Sequence, residues 1–139
     1  MGSDALSLLL DTHALLWVLN DEKRLGARAR KRIERDATRG TLAVSAITFW
    51  EVALLTLRRR VAVTPTGPAL RAHVLGLGVH ELSIDGAVAE LAGRLSIKHA
   101  DPADCLLVAT ALEHDVTLVT ADAKLLAWGG RLKTLAADR

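Results

Sequence analysis

The sequence predicts an α/β fold in which a central, mainly parallel sheet is covered by helices on both faces. Short apolar runs alternate along the chain with longer segments of helical periodicity, and strands that alternate with helices in this way form parallel sheets. The 139 residues contain no internal repeat, low-complexity tract or linker, and their number is typical of one domain. Half of them are hydrophobic, which is enough to build a buried core. We therefore expect a single domain over residues 1–139.

Strands are predicted where a short apolar or alternating run meets a polar residue or a turn. In chain order, the predicted strands are residues 7–10, 42–44, 79–84 and 117–119, with an edge strand at 131–134. The first of them is almost entirely Leu and ends at Asp11. A run of this kind is typical of a strand that is buried on both faces of a parallel sheet.

Helices are predicted in the longer segments between those strands. In chain order, they cover residues 12–19, 27–38, 46–59, 68–75, 85–95, 102–114 and 122–127. Residues 27–38 are rich in Arg and Lys and predict a helix with a solvated basic face, whereas residues 102–114 are apolar almost all round and predict a buried helix. The Pro- and Gly-containing stretch 64–68 separates the third helix from the fourth.

The composition excludes several classes of function. Eighteen Lys and Arg residues against sixteen Asp and Glu give a net charge of +2, which permits nucleic-acid binding without requiring it. Aromatic residues are 3% of the chain, which argues against a base-stacking platform for single strands. The lone Cys105 excludes an internal disulfide framework and a thiolate zinc site. Because the chain has neither a secretory signal nor an apolar run of about 18 residues, we expect a cytoplasmic protein without membrane contacts.

Acidic side chains occur at or near the ends of the predicted strands, where ligands bind in parallel sheets. Asp11 follows the first strand and Asp122 follows the strand 117–119, while Asp104 stands in the first turn of the buried helix. Each has a structural alternative, because Asp also caps helices. For Asp101, which precedes Pro102, capping is the preferred interpretation.

Glu51 is the only ionisable residue between positions 42 and 57. No cation stands three or four positions away from it. On a helical projection it lies at the edge of the apolar stripe Ile47, Trp50, Leu54 and Leu57. A half-buried carboxylate at this position needs a partner, although an exposed position at the edge of the stripe would also explain it.

Four acids in one crevice would repel one another. Two carboxylates about 5 Å apart repel by roughly 3 kcal/mol at an effective dielectric constant of 20. Some of the acids must therefore be protonated, or a hard cation must neutralise them. Oxygen ligands without Cys or an obvious His pair indicate Mg²⁺ or Mn²⁺, and sites of this kind bind phosphates and activate water.

The acids belong to four longer segments, which are Leu-Leu-Leu-Asp-Thr-His-Ala-Leu-Leu-Trp at 8–17, Ser-Ala-Ile-Thr-Phe-Trp-Glu-Val at 45–52, His-Ala-Asp-Pro-Ala-Asp at 99–104 and Val-Thr-Ala-Asp at 119–122. In this order, the segments resemble the motifs of the PIN-domain toxin ribonucleases of the VapC type. The resemblance implies a PIN-like α/β/α sandwich that cleaves RNA with Mg²⁺ or Mn²⁺ under the control of a cognate antitoxin. The metal ligands and catalytic acids that it implies are Asp11, Glu51, Asp104 and Asp122.

The same resemblance implies polar helpers beside these ligands. Ser45 and Thr120 occupy those positions, and we expect Thr12 and Asp101 to support the acids as well. Two departures concern RNA contacts. Similar proteins often have Arg where this chain has Cys105, and often have Gly and Lys near the positions of Arg59 and Arg60.

Other candidate residues have competing interpretations. The compact run Arg58, Arg59 and Arg60 could contact RNA phosphates or the antitoxin. His13 and His99 flank the acids, but satisfied or exposed imidazoles are the preferred interpretation. Trp17, Phe49 and Trp50 are expected in the core or in a dimer interface rather than as base-stacking groups, and we predict a homodimer.

Three function classes remain at this point. The first is a Mg²⁺- or Mn²⁺-dependent endoribonuclease, the toxin of a toxin–antitoxin pair, that hydrolyses RNA with metal-activated water. The second is a binding module with the same fold and no activity, against which the four retained acids argue. The third is an aspartate-based phosphatase using Asp11, which requires a second Asp two positions later, where this chain has His13.

Overall fold

The structure is a computed structural model that describes residues 5–139. These residues form five strands, which are β1 (Leu8–Leu10), β2 (Leu42–Ser45), β3 (His80–Leu82), β4 (Thr117–Thr120) and β5 (Thr134–Ala136). They also form seven helices, which are α1 (Thr12–Leu19), α2 (Ala27–Arg39), α3 (Ala46–Leu57), α4 (Gly67–Gly76), α5 (Gly86–Arg94), α6 (Pro102–His114) and α7 (Ala123–Trp128). Over the same residues, no helix has the length and apolar content needed to cross a bilayer.

The five strands form one parallel sheet in the order β3-β2-β1-β4-β5. The central strand β1 pairs Leu10 with Val44 on one side and with Val119 on the other. From β1 the chain turns to one side for β2 and β3 and then returns to the other side for β4 and β5. The reversal of strand order makes the carboxyl end of β1 a topological switch point, where parallel sheets bind their ligands.

The side chains of β1 alternate between two hydrophobic cores, as the period of a strand requires. Leu8 and Leu10 pack into the core beneath α1 and α2, and Leu9 packs into the core that contains residues of α6 and α7. All three side chains are completely buried. The predicted α/β/α sandwich with a parallel sheet is therefore confirmed.

Most predicted elements agree closely with the structure, but the edge strands differ. β5 covers Thr134–Ala136 rather than 131–134, because Gly129 and Gly130 adopt positive φ angles and extend the turn after α7. β3 covers only His80–Leu82 of the predicted 79–84, and it pairs with a single neighbour, β2.

The apolar stripe Ile47, Trp50, Leu54 and Leu57 is not the buried face of α3. Its buried residues are Thr48 and Val52, whereas Trp50 is 55% and Leu57 80% exposed. Apart from Glu51, α3 carries no ionisable side chain, so the sequence pattern did not distinguish the buried face from the exposed one. Trp50 therefore does not belong to the core, whereas Trp17 does.

The basic face of α2 is only partly a solvated surface. Arg32 donates to Oδ2 of Asp36 across 3.1 Å and to Oγ of Ser7 across 3.0 Å. The buried Asp36 also accepts a hydrogen bond from the Thr41 hydroxyl. These contacts attach α2 to the segments that precede β1 and β2, so Arg32 has a structural role.

Candidate active site

A cavity of about 340 Å³ lies at the carboxyl ends of the central strands. Its walls come from the loops after β1 and β4 and from α1, α3, α6 and α7. The residues that line it are Asp11, Thr12, His13, Trp17, Glu51, Asp101, Asp104, Leu107, Ala121, Asp122 and Lys124. All four acids predicted as metal ligands are among them, together with Asp101. The structure thus brings together carboxyl groups from four separate parts of the sequence.

Asp11 is held at the end of β1 by both its backbone and its side chain. Its amide donates to the Val119 carbonyl across 3.0 Å, which continues the pairing of β1 with β4. Its Oδ1 accepts from the Ala14 amide across 2.7 Å and caps α1. Because the side chain is only 8% exposed, burial raises the pKa of Asp11, against the opposing effects of the Thr120 hydroxyl and the Ala14 amide.

Glu51 reaches the cavity from the middle of α3. The Thr12 hydroxyl donates to Glu51 Oε1 across 2.6 Å and lies 3.1 Å from the hydroxyl of the fully buried Thr48. Because Thr12 uses its single proton toward Glu51, Thr48 acts as donor to Thr12. Burial raises the pKa of Glu51 although the Thr12 hydrogen bond lowers it, and the charges of Asp101 and Asp104 add to the rise.

Asp101 and Asp104 form a reciprocal pair at the start of α6. Asp101 Oδ1 accepts from the Asp104 amide across 2.8 Å, and the Asp101 amide donates to Asp104 Oδ2 across 3.3 Å. This is a capping box, and Pro102 at the first helical position favours it. Burial, followed by the negative charge of Asp101, raises the pKa of Asp104. Asp101 thus caps the helix, as predicted, and also lines the cavity.

Asp122 and Thr120 are joined at the end of β4. The Thr120 hydroxyl accepts from the Asp122 amide across 3.0 Å, and Asp122 Oδ1 accepts from the Lys124 amide across 2.9 Å to cap α7. The fully buried Ser45 instead caps α3 by accepting from the Ile47 amide across 3.1 Å. Ser45 does not line the cavity, and its side chain fixes the start of the helix that carries Glu51.

Lys124 was not predicted from the sequence. Its Nζ lies 3.4 Å from Asp122 Oδ2 and 3.8 Å from Asp104 Oδ2. The negative charge of Asp122 is the largest of the effects that raise the pKa of Lys124. The only sequence signal was its spacing, two positions after Asp122. The buried Thr48, three positions before Glu51 on α3, was likewise overlooked.

The donor chemistry of the cavity fits a hard divalent cation. Carboxylate and hydroxyl oxygens predominate among the polar atoms that line the cavity, and His13 is the one lining residue with an imidazole nitrogen. Within residues 5–139, however, no three His, Cys, Asp or Glu side chains are gathered closely enough to hold a metal ion as they stand. The cavity therefore matches a divalent cation in the type and charge of its ligands. Its acidic side chains lie farther apart than the ligands of a bound metal ion.

The arginine run lies beside this cavity. A neighbouring cavity of about 370 Å³ shares His13, Glu51 and Asp101 with it and is also lined by Arg58 and Arg60, whereas Arg59 lines neither. Arg59 has a φ of 55°, a left-handed conformation that favours Gly. This is the region in which the resemblance led us to expect a Gly.

The comparisons with known proteins agree with this geometry. The model of the PIN domain family matches residues 8–129, a span that contains every acid of the cavity. The chain belongs to the PIN domain family. Ribonuclease VapC22 of Mycobacterium tuberculosis (strain ATCC 25618 / H37Rv) is 36% identical over 121 residues, which are 86% of this chain and 89% of the relative. The resemblance to PIN-domain proteins of the VapC type is thereby confirmed.

Solved structures of toxin–antitoxin complexes share the fold of this PIN domain. VapBC2 from Rickettsia felis, bound to a DNA fragment from its promoter, has a TM-score of 0.67 at 16% identity. A toxin–antitoxin complex from Klebsiella pneumoniae has a TM-score of 0.63 at 22% identity. In both comparisons the alignment covers 94% of this chain and 98% of the other.

Proposed function

We propose that this PIN domain is an endoribonuclease that depends on Mg²⁺ or Mn²⁺ and serves as the toxin of a toxin–antitoxin pair. The observation that supports it best is the single cavity at the switch point, lined by Asp11, Glu51, Asp104 and Asp122. VapC22, the relative of 36% identity, is named a ribonuclease. We also take residues 1–139 as one domain that acts in the cytoplasm, where RNA is available.

The four acids would hold the cation, and the surrounding groups keep them in position. Thr12 donates to Glu51, Thr120 accepts from the Asp122 amide, and the capping box orients Asp104. A cation bound here would lower the pKa of a water molecule and offset the negative charge of the scissile phosphate. Hydrolysis supported in this way would break the bond between phosphorus and the 3′-oxygen, with water supplying the new oxygen on phosphorus and the proton on the leaving oxygen, so the products would carry a 5′-phosphate and a 3′-hydroxyl.

RNA would approach the open side of this cavity. The exposed Arg58 and Arg60 line the neighbouring cavity, which supports a role for them in binding phosphates next to the scissile bond. Arg59, which lines neither cavity, is assigned only a more distant contact with the RNA backbone.

The partners proposed are a cognate antitoxin and a second copy of the chain. Solved relatives of this fold are toxin–antitoxin complexes. The exposed Trp50 and Leu57 give α3 an apolar surface of the kind that partners cover. A basic side chain of the antitoxin could pair with the carboxylates of the adjacent acidic cavity.

The test is cleavage of RNA by the purified chain. We expect cleavage with Mg²⁺ or Mn²⁺, loss of cleavage on addition of EDTA, and recovery when the cation is restored in excess. The Asp11→Asn variant, prepared in the same way, controls for contaminating nucleases. If cleavage were equal in EDTA, or equal in the variant, the proposal would be wrong.

A further inference from the structure

Lys124 introduces a positive charge into the acidic cavity. Five carboxyl side chains line this cavity, those of Asp11, Glu51, Asp101, Asp104 and Asp122, and Lys124 is the only Lys or Arg among the lining residues. Its ammonium lies within 4 Å of carboxylate oxygens of both Asp104 and Asp122. These acids belong to different elements, because Asp104 lies on α6 and Asp122 precedes α7.

The contacts of Lys124 are loose compared with other ion pairs of the chain. Charge-assisted hydrogen bonds between nitrogen and oxygen are usually about 2.7–2.9 Å long, whereas the ammonium lies 3.4 Å and 3.8 Å from its two partners. By contrast, Lys133 lies 3.0 Å from Asp115 Oδ1 and also donates to the Asp115 carbonyl. The Lys124 side chain is 40% exposed and has a flexible stem, so it can leave the acids without disturbing the core.

We propose that Lys124 is a built-in counter-ion of the acidic cavity, which neutralises Asp104 and Asp122 until a divalent cation binds and which competes with that cation for their oxygens. Lys124 thereby lowers the affinity of the site for Mg²⁺ or Mn²⁺ and stabilises the metal-free protein. This inference rests on the proposed metal-dependent function. Lys124 acts on the site through its contacts with Asp104 and Asp122 rather than by touching the substrate. Its ammonium stays protonated throughout.

The experiment measures Mn²⁺ binding by calorimetry in the absence of RNA, together with melting temperature with and without Mn²⁺. Three variants of the full chain are compared with wild type, namely Lys124→Gln, Lys124→Arg and the control Lys133→Gln. Lys133 also forms an ion pair, but its partner Asp115 lies at the other end of α6.

We expect Lys124→Gln to bind Mn²⁺ at least about fivefold more tightly than wild type, because one unit charge near the ion is removed. Without metal it should melt at a lower temperature than wild type. Lys124→Arg keeps the charge and should bind with wild-type affinity, as should Lys133→Gln.

Two results would overturn the inference about Lys124. One is equal or weaker Mn²⁺ binding by Lys124→Gln, and the other is equally tightened binding by Lys124→Arg. The proposed function fails separately, if wild type and all variants bind no Mn²⁺ and cleave no RNA.

Discussion

The Thr12 hydroxyl donates to Glu51 Oε1 across 2.6 Å and so joins two residues that are 39 positions apart in the sequence. The bond connects the first residue of α1, next to Asp11, with the middle of α3. It orients a half-buried carboxylate that has no cation three or four positions away on its own helix. The two acid-bearing segments are thus held in a fixed relation by a side-chain hydrogen bond in addition to backbone packing.

Removing this hydroxyl should reduce both the activity and the stability of the protein. For Thr12→Val we expect a loss of cleavage of about tenfold or more, because Glu51 loses the group that orients it, and a loss of about 1–2 kcal/mol in the free energy of unfolding. Thr48→Val should act in the same direction but less strongly, since it acts through Thr12. Cleavage rates and urea denaturation of the same preparations check this.

Thr110→Val is the matched control for these two variants. Thr110 is fully buried and donates to the Leu106 carbonyl within α6, away from the cavity. It should lower stability without lowering cleavage once the protein is folded. A Thr12→Val variant with wild-type cleavage would contradict the orienting role.

Replacing each proposed metal ligand by its amide should abolish cleavage and leave the chain folded. We expect this of Asp11→Asn, Glu51→Gln, Asp104→Asn and Asp122→Asn, because each removes a charged oxygen ligand at constant shape. The melting temperature of the metal-free protein should rise slightly for Asp11→Asn and Glu51→Gln, since one of several repelling charges is lost, whereas Asp104→Asn and Asp122→Asn also lose a contact with Lys124. Circular dichroism melts and RNA cleavage are the measurements.

Asp101→Asn is the control for this series. Asn caps helices about as well as Asp, so this variant should retain cleavage within a few-fold and keep its stability. If one of the four ligand variants kept near wild-type turnover, that residue would not be an essential ligand.

The stability of the metal-free protein should decrease as the pH rises above the ordinary pKa values of the buried acids, 3.8 and 4.5, and passes their raised values in the folded protein. Burial raises the pKa values of Asp11, Glu51 and Asp104 above their usual 3.8 and 4.5. Such a group contributes its full stability below its unfolded pKa and loses it as the pH passes the folded pKa. Because other groups also titrate, the informative quantity is the difference in unfolding free energy between wild type and Asp11→Asn.

As the pH rises, Asp11→Asn should become increasingly more stable than wild type. Saturating Mn²⁺ should make wild type the more stable of the two, because it stabilises only wild type. Urea denaturation at several pH values provides the data. If the difference in unfolding free energy stayed constant with pH, or favoured wild type at neutral pH without metal, burial would not raise the pKa of Asp11 as we infer.

The apolar surface of α3 should be needed for assembly. Trp50→Ala and Leu57→Glu should weaken association with the antitoxin or with a second copy, because both side chains are exposed on α3. Trp50 also lines the cavity that adjoins the acidic one. Light scattering after size-exclusion chromatography, with and without the co-expressed antitoxin, measures this. Leu77→Glu changes another exposed Leu at the end of α4 and should leave assembly unchanged.

The position of the site could be predicted because it depends on local sequence. Short apolar strands that end in Asp are recognisable without any knowledge of distant contacts, and parallel strands bring those ends to one edge. Asp11 and Asp122 cap helices and also line the cavity. Capping and a place in the site were therefore not exclusive alternatives.

Features that depend on packing between distant segments could not be predicted. Thr48 and Lys124 are common residue types whose roles arise only when α3 meets α1 and when α7 meets α6. The buried face of α3 could not be identified from the sequence because the helix is apolar on almost every side. The start of β5 depends on the turn at Gly129 and Gly130, which the apolar pattern does not encode.

The chemical nature of the cut RNA ends distinguishes hydrolysis by a metal-activated water from attack by the 2′-hydroxyl of the RNA. A purified RNA should be cleaved by the wild-type chain in Mg²⁺ or Mn²⁺, and the termini of the fragments identified by sequencing and by their reactivity with kinase and ligase. We expect 5′-phosphate and 3′-hydroxyl ends, which appear only with the divalent cation and are absent with Asp122→Asn. Cyclic 2′,3′-phosphate ends, or cleavage that persists in EDTA, would contradict it.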